Sequence, residues 1–302
     1  MSRLSTFIIS FGLAALAGCG GGGGGSPSAT APSPPQNITF NGAADSVNFT
    51  FNAPQFSNTT SNGAQVTVSP DGNGNVAITL NIPTGGGTSF SRTFDLATAV
   101  QTDPAGPIPG FITMNLGVLL PSGAPANILI LDDTLNFASF GLWQHFDFID
   151  GTGNSSGAMG GIAFGNATPV SGLPNSGSAT FTGRTIGGAV DGTTRSLLAG
   201  TVSLTANFTQ MTMGGTFTVN SVTSGTVVPW GNFTLAPTVI AASAGGPYGG
   251  INTLSGTIPG GAITSSSLNG QFYGPAAQET AGTWSVSNST THAVGAYGAA
   301  RP

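Results

Sequence analysis

The sequence predicts an all-β protein whose carboxy-terminal half wraps into an antiparallel barrel of about eight strands. Three observations carry that prediction. Apolar residues alternate with Thr, Ser, Asn or Gly at period two along much of the chain. Gly, Pro, Asn and Ser break these runs at short, regular intervals. Beyond the first eighteen residues, no window of a dozen shows an apolar helical stripe with caps.

Residues 1–18 read as a lipoprotein signal peptide, with Arg3 in a short positive region, an apolar stretch over residues 7–17 and small residues before Cys19. That stretch is too short for a membrane-spanning helix. Leu16-Ala17-Gly18-Cys19 resembles the bacterial lipobox, which implies cleavage before Cys19 and acylation of its thiol and new amino group. Cys19 is the only cysteine, so lipidation consumes the thiol and no disulfide forms within the chain. At about 0.8 kcal/mol per buried CH₂, three acyl chains give effectively permanent attachment. Gly20 follows the cysteine, which within the lipobox resemblance implies sorting to the outer membrane. Residues 19–36, "CGGGGGGSPSATAPSPPQ", form a Gly/Ser/Pro-rich tether with no apolar period.

Past the tether, "GAQVTVSPDGNGNVAITLNIP" predicts a hairpin that sets Val66 and Val68 against Ala77 or Ile78 and Leu80. Asp71, Asn73 and Asn75 imitate a calcium loop, but Val76 stands at the loop-glycine position and Ile82 at the bidentate-glutamate position, so the metal reading fails. In "TVSLTANF", Val202, Leu204, Ala206 and Phe208 share one face. Further strands are expected over residues 179–184, 231–241, 251–258, 266–274, 282–288 and 294–299. Closing them into a barrel removes exposed sheet edges.

Composition narrows the function. Five Lys and Arg together face ten acids, a formal net charge of −5. So few cations cannot neutralise a phosphate backbone or bind an anionic membrane surface, so nucleic acid is not an expected partner. Hydrophobic residues make up 39% of the chain, enough for a core despite the sparse charge.

"GQFYGPAAQETAGTW", residues 270–284, contains the only glutamate. With "FASFGLWQ" (137–144), "LPNSGSATFTGRTIGG" (173–188), "LTANF" (204–208) and "AVGAYGAAR" (293–301), it resembles the transferrin-binding protein B β-barrel family of surface lipoproteins. The pieces fall in the family's order, and Asn207 stands where aspartate is expected. The structural motif comprises Phe272, Tyr273, Gly274, Pro275, Glu279, Gly282 and Trp284. The resemblance implies an irregular β handle domain over residues 37–170 followed by an eight-stranded antiparallel β-barrel over residues 171–302. It also implies a monomeric, non-enzymatic protein on the cell surface that captures a protein or a haem- or iron-related nutrient. A structural or protective envelope lipoprotein without a dedicated ligand is the alternative.

The residues themselves offer little chemistry. Glu279 has no second acid nearby in sequence for glycoside hydrolysis, and a structural brace is the better reading: Pro275 starts a tight turn whose unpaired N–H groups the carboxylate accepts. Asp132 and Asp133 are adjacent and, if extended, point to opposite faces. "GNSSG" (153–157) matches a hydrolase elbow without the helix that an elbow needs. His145 and His292 lack ligand spacing, so no metal or other cofactor is expected. The tryptophans and tyrosines read as packing. Ligand contacts are expected at loop tips over residues 147–157 and 242–250, with Asp147, Asp150 and Tyr248 as candidates.

Overall fold

The structure is a computed structural model. It describes residues 37–50, 57–70, 76–85, 88–95, 100–102, 108, 110–119, 125–132, 134–148, 155–191, 194–223 and 226–302. The described chain is all-β apart from one 3-10 turn at Val170–Gly172. Cys19, the tether, the hairpin turn at 71–75, Asp133 and Asp150 lie outside the described residues.

Two sheets make up the fold. The first contains β1 (Ile38–Thr50), β2 (Ser57–Pro70), β3 (Val76–Gly85), β4 (Thr88–Asp95), β5 (Val100–Thr102), β6 (Phe111–Leu119), β7 (Pro125–Asp132), β8 (Ala138–Phe148) and β9 (Ser155–Gly165), in spatial order β4-β3-β2-β1-β9-β8-β7-β6-β5. Val66 pairs with Leu80 and Val68 with Ile78, so Ile78 rather than Ala77 completes the apolar face of the predicted hairpin. That face curls on itself. Phe90 of β4 stacks on Trp143 of β8 with ring centroids 4.7 Å apart, though the two strands lie far apart in sheet order. Val66, Ile78, Leu80, Phe94, Leu129 and Ile162 fill the same core.

The second sheet follows the 3-10 turn. It contains β10 (Ser178–Asp191), β11 (Thr194–Asn207), β12 (Thr212–Thr223), β13 (Thr226–Val239), β14 (Tyr248–Ile251), β15 (Leu254–Ile258), β16 (Gly261–Ala262), β17 (Ser265–Tyr273), β18 (Glu279–Ser287) and β19 (Thr291–Ala300). All pairings are antiparallel. The sheet wraps into a nearly closed eight-stranded barrel because one segment changes partners. Residues 248–251 pair with β17, residues 254–258 pair with β13, and Asn252 between them takes a left-handed φ of 55°. Ser266 seals the join, its Oγ accepting from the Leu254 N–H at 3.1 Å and donating to the Leu254 carbonyl at 2.9 Å. Asn207 takes up a turn role, its Oδ1 accepting from the Gln210 N–H at 3.0 Å.

The barrel is filled rather than hollow. Phe181, Phe217, Phe233, Phe272, Trp284 and Tyr297 are all buried in its centre. Phe217 meets Tyr297 edge-on at 5.3 Å, and Phe233 tilts against Trp284 at 5.3 Å. Even the polar atoms in this core are placed: the Trp284 Nε1–H donates to Thr185 Oγ1 at 2.8 Å, and that hydroxyl donates to the Ala296 carbonyl at 2.8 Å.

β8, β9 and β1 of the first sheet lie against β10, β18 and β19 of the barrel. Glycine makes the approach feasible: a Cβ on Gly161 would sit 2.0 Å from the Gly295 carbonyl oxygen, closer than atoms can come. Phe111, Ile130, Phe140 and Leu142 from one side then pack with Ile186, Tyr273, Ala281 and Ala296 from the other. Gly161→Val should push the two sheets apart and lower stability by about 3 kcal/mol, as overpacking does. Thr201→Val on the exposed wall should shift the thermal midpoint little. Thermal unfolding of the two variants side by side checks this.

Candidate functional site

The dominant polar feature is the junction between the sheets. Tyr273 ends β17, and Gly274 turns the chain with φ 84°, a left-handed value that suits glycine. Pro275 is exposed, and Glu279 starts β18, where its side chain is 2% exposed. The carboxyl does not serve its own turn. It reaches the segment before β8 and accepts three backbone N–H groups: Asn136 at 2.7 Å, Phe137 at 2.8 Å and Ala138 at 3.0 Å. Those donors lie at the entry to β8, and without an acceptor the buried Ala138 N–H and its part-buried neighbours would go unpaired. The brace expected from sequence therefore has different partners, more than a hundred positions away in the chain. Burial pushes the Glu279 carboxyl above the ordinary carboxylate range, and the three backbone donors pull it back part of the way.

The turn after Tyr273 is stapled on its other side. The Gly274 N–H donates to the Asn166 carbonyl at 2.8 Å, the Thr168 hydroxyl donates to the Gly274 carbonyl at 2.8 Å, and Arg301 Nη2 donates to the Ala276 carbonyl at 2.8 Å. Phe272 points into the barrel core against Phe181 and Phe208, at 5.5 and 5.6 Å. Gly282 lies opposite Gly270, where an added Cβ would meet the Asn269 carbonyl at 2.2 Å. The motif thus joins barrel core, turn and neighbouring sheet.

A second bridge crosses the same junction. Arg184 of β10 pairs with Asp132 of β7 at 3.3 Å, and its guanidinium lies 4.2 Å from the centre of the Phe111 ring. Asp132 is 2% exposed and also accepts from the Thr134 N–H at 2.8 Å. No local spacing linked Arg184 to Asp132. The available signal was scarcity, since the chain has so few charges.

The expected ligand positions fare differently. Tyr248 is not on a loop tip: it begins β14, is 5% exposed, and its hydroxyl lies 2.5 Å from Thr280 Oγ1 and 2.6 Å from the Tyr297 hydroxyl. Its ring fills the barrel core, so it is not available to a partner, and burial raises its pKa. In the loop before it, Ala242, Ser243, Ala244 and Pro247 are exposed, while Gly245 and Gly246 are buried. The Gly245 N–H donates to the Thr168 carbonyl at 2.6 Å, and the Gly245 carbonyl accepts from Phe272 at 2.6 Å. Asp147 lies within β8, and Asp150 falls beyond the described residues.

His145 Nδ1 lies 2.7 Å from Asn127 Oδ1 in the first sheet, while His292 belongs to β19 of the second, where burial lowers its pKa. Among the described residues, no three His, Cys, Asp or Glu side chains converge on a metal-sized site. Ser155 opens a strand rather than a helix, so the hydrolase elbow is not built.

Glu279→Gln places an amide nitrogen against at least one of the three donors and leaves it unpaired, at a cost of about 2 kcal/mol. The thermal midpoint should fall by roughly 4–8 °C. Because folding raises this carboxyl's pKa, its stabilisation is complete below the ordinary carboxyl range and is lost as pH rises through the folded value. Unfolding free energy should therefore decline across that window in the wild type and not in the Gln variant. Arg184→Ala removes the cation from a buried carboxylate and should cost about 3 kcal/mol, measured by denaturant unfolding.

Residues 173–301 match the family described as the C-lobe and N-lobe β barrels of Tf-binding protein B. Solved structures similar to the chain include a transferrin binding protein B double mutant from Haemophilus parasuis, at 11% identity and TM-score 0.47, covering 86% of this chain and 45% of that one. Transferrin binding protein B from Neisseria meningitidis matches at 16% identity and TM-score 0.40, covering 80% and 52%. The N-lobe domain of lactoferrin binding protein B from Moraxella bovis matches at 11% identity and TM-score 0.40, covering 87% and 99%. The chain spans less than half the length of the Haemophilus parasuis protein. No curated protein sequence matches it. In residues 173–301 the chain carries the β-barrel of the transferrin-binding protein B-like family.

Proposed function

We propose that this protein is a lipoprotein anchored to the outer membrane through acylated Cys19 and displayed on the surface of a Gram-negative bacterium. It binds a protein or a haem- or iron-related nutrient there and catalyses no reaction. The family of its barrel carries the reading: a barrel of the Tf-binding protein B type makes transferrin the first ligand to try. The packed interior supports external rather than internal binding, because aromatic side chains occupy the barrel's centre. The non-enzymatic reading is supported by the two described carboxyls of the junction, since Glu279 is held by three backbone donors and Asp132 by Arg184. Neither is placed to exchange a proton with a substrate.

Cys19→Ser should abolish incorporation of labelled fatty acid, whereas label retained on the variant would remove the anchor from the account. Full-length protein in detergent, presented to transferrin and then to serum and to envelope extracts, should retain one saturable partner. Capture of nothing from any of these favours the structural envelope role, and protection from protease on intact cells excludes capture of extracellular proteins.

A further inference from the structure

We infer that the contact between the barrel wall and the first sheet is a binding site for ordered water, held between Thr283 of β18 and Asn269 of β17 and reached by solvent from the β17 side. Both side chains stand on the outer face of the barrel, since Leu268, Trp284 and Val286 beside them belong to its core. The register sets Asn269 directly opposite Thr283. β1 and β9 of the first sheet lie against β18, so Thr283 is 0% exposed although it points away from the barrel.

The Thr283 hydroxyl and Asn269 Nδ2 are nevertheless buried without a hydrogen-bond partner. Native interiors rarely leave such atoms unpaired. The Tyr273 hydroxyl, further along the same face, and Trp143 Nε1, in the first sheet's own core, share that state, but neither has a second unpaired side chain directly opposite. Cross-strand side chains have Cβ atoms about 4.5–5.5 Å apart, a gap that one water spans and that Thr283 and Asn269 do not close by bonding each other. Holding a water costs less than burying an unpaired hydroxyl and an unpaired amide.

The surroundings agree with that occupant. Ser267 and Ser285, opposite each other in the next row and both buried, add hydroxyls to the same face. On the β19 side, buried Ala296 and Val294 stand opposite Thr283 and Ser285 and close the polar patch. Toward β14 the patch opens: Asn269 and Gln271 are half-buried, and the partner of Asn269 there is Gly249, which has no side chain to cover it. Asn269, Thr283, Ser267 and Ser285 carry no charge to hold an ion, and an apolar guest would leave the hydroxyl and the amide unpaired. The two sheets are then joined by a wet stretch along β17 and β18 beside the apolar one around Phe140 and Ala296.

The test is a crystal structure of the full-length protein at a resolution that shows ordered water, together with thermal unfolding of variants. Density for a water within hydrogen-bond distance of both Thr283 Oγ1 and Asn269 Nδ2 is expected, present in Thr283→Ser and lost in Thr283→Val. Thr283→Val keeps the side chain's shape and deprives the water of a partner, so its thermal midpoint should fall by roughly 2–4 °C. A higher midpoint in Thr283→Val overturns the proposal, because removing an unpaired hydroxyl from a dry contact is stabilising. A direct Thr283–Asn269 hydrogen bond with no water between them overturns it equally.

Discussion

Three backbone N–H groups at 136–138 converge on one carboxyl group, that of Glu279, and the association of the two sheets depends on that convergence. The segment that carries the donors leaves β7, turns and enters β8, one of the strands on which the first sheet contacts the barrel. A side chain must satisfy these groups because no strand is in place to do so. Placing the acceptor on the first residue of β18 fixes where the barrel sits against the first sheet. Arg184 and Asp132 hold the same junction at a second point, and Phe140 packs edge-on against Phe111 and beside Gly298 of β19.

This arrangement explains why so few charges suffice. Each charged group described at the junction has a defined partner, and solubility is left to the Thr, Ser and Asn side chains of the outer wall. The interior needs no polar pocket, because the aromatic side chains fill it. Any recognition is therefore confined to loops, rim and wall, the parts of a rigid barrel that can vary without disturbing its core.

The local period was enough to read the barrel. Val202, Leu204, Ala206 and Phe208 point inward as alternation requires, and Phe181, Phe217 and Phe233 extend the pattern. The partner switch of residues 248–258 was not legible, since a single left-handed Asn252 divides one apparent strand between two neighbours. Tyr248 looked like a loop residue because glycines and a proline surround it, yet its hydroxyl completes a buried network with Tyr297 and Thr280. Glu279 could be singled out from its rarity. Its partners could not, because contacts spanning more than a hundred positions leave no trace in spacing. The same holds for Arg184 and Asp132.

Hydrogen exchange resolved to single amides tests the central claim most directly. In Glu279→Gln, the amides of Asn136, Phe137 and Ala138 should lose protection while those of β11 and β12 keep theirs. Unchanged protection at 136–138 would mean that the carboxyl does not hold the junction, and the account of how the two sheets are joined would be wrong.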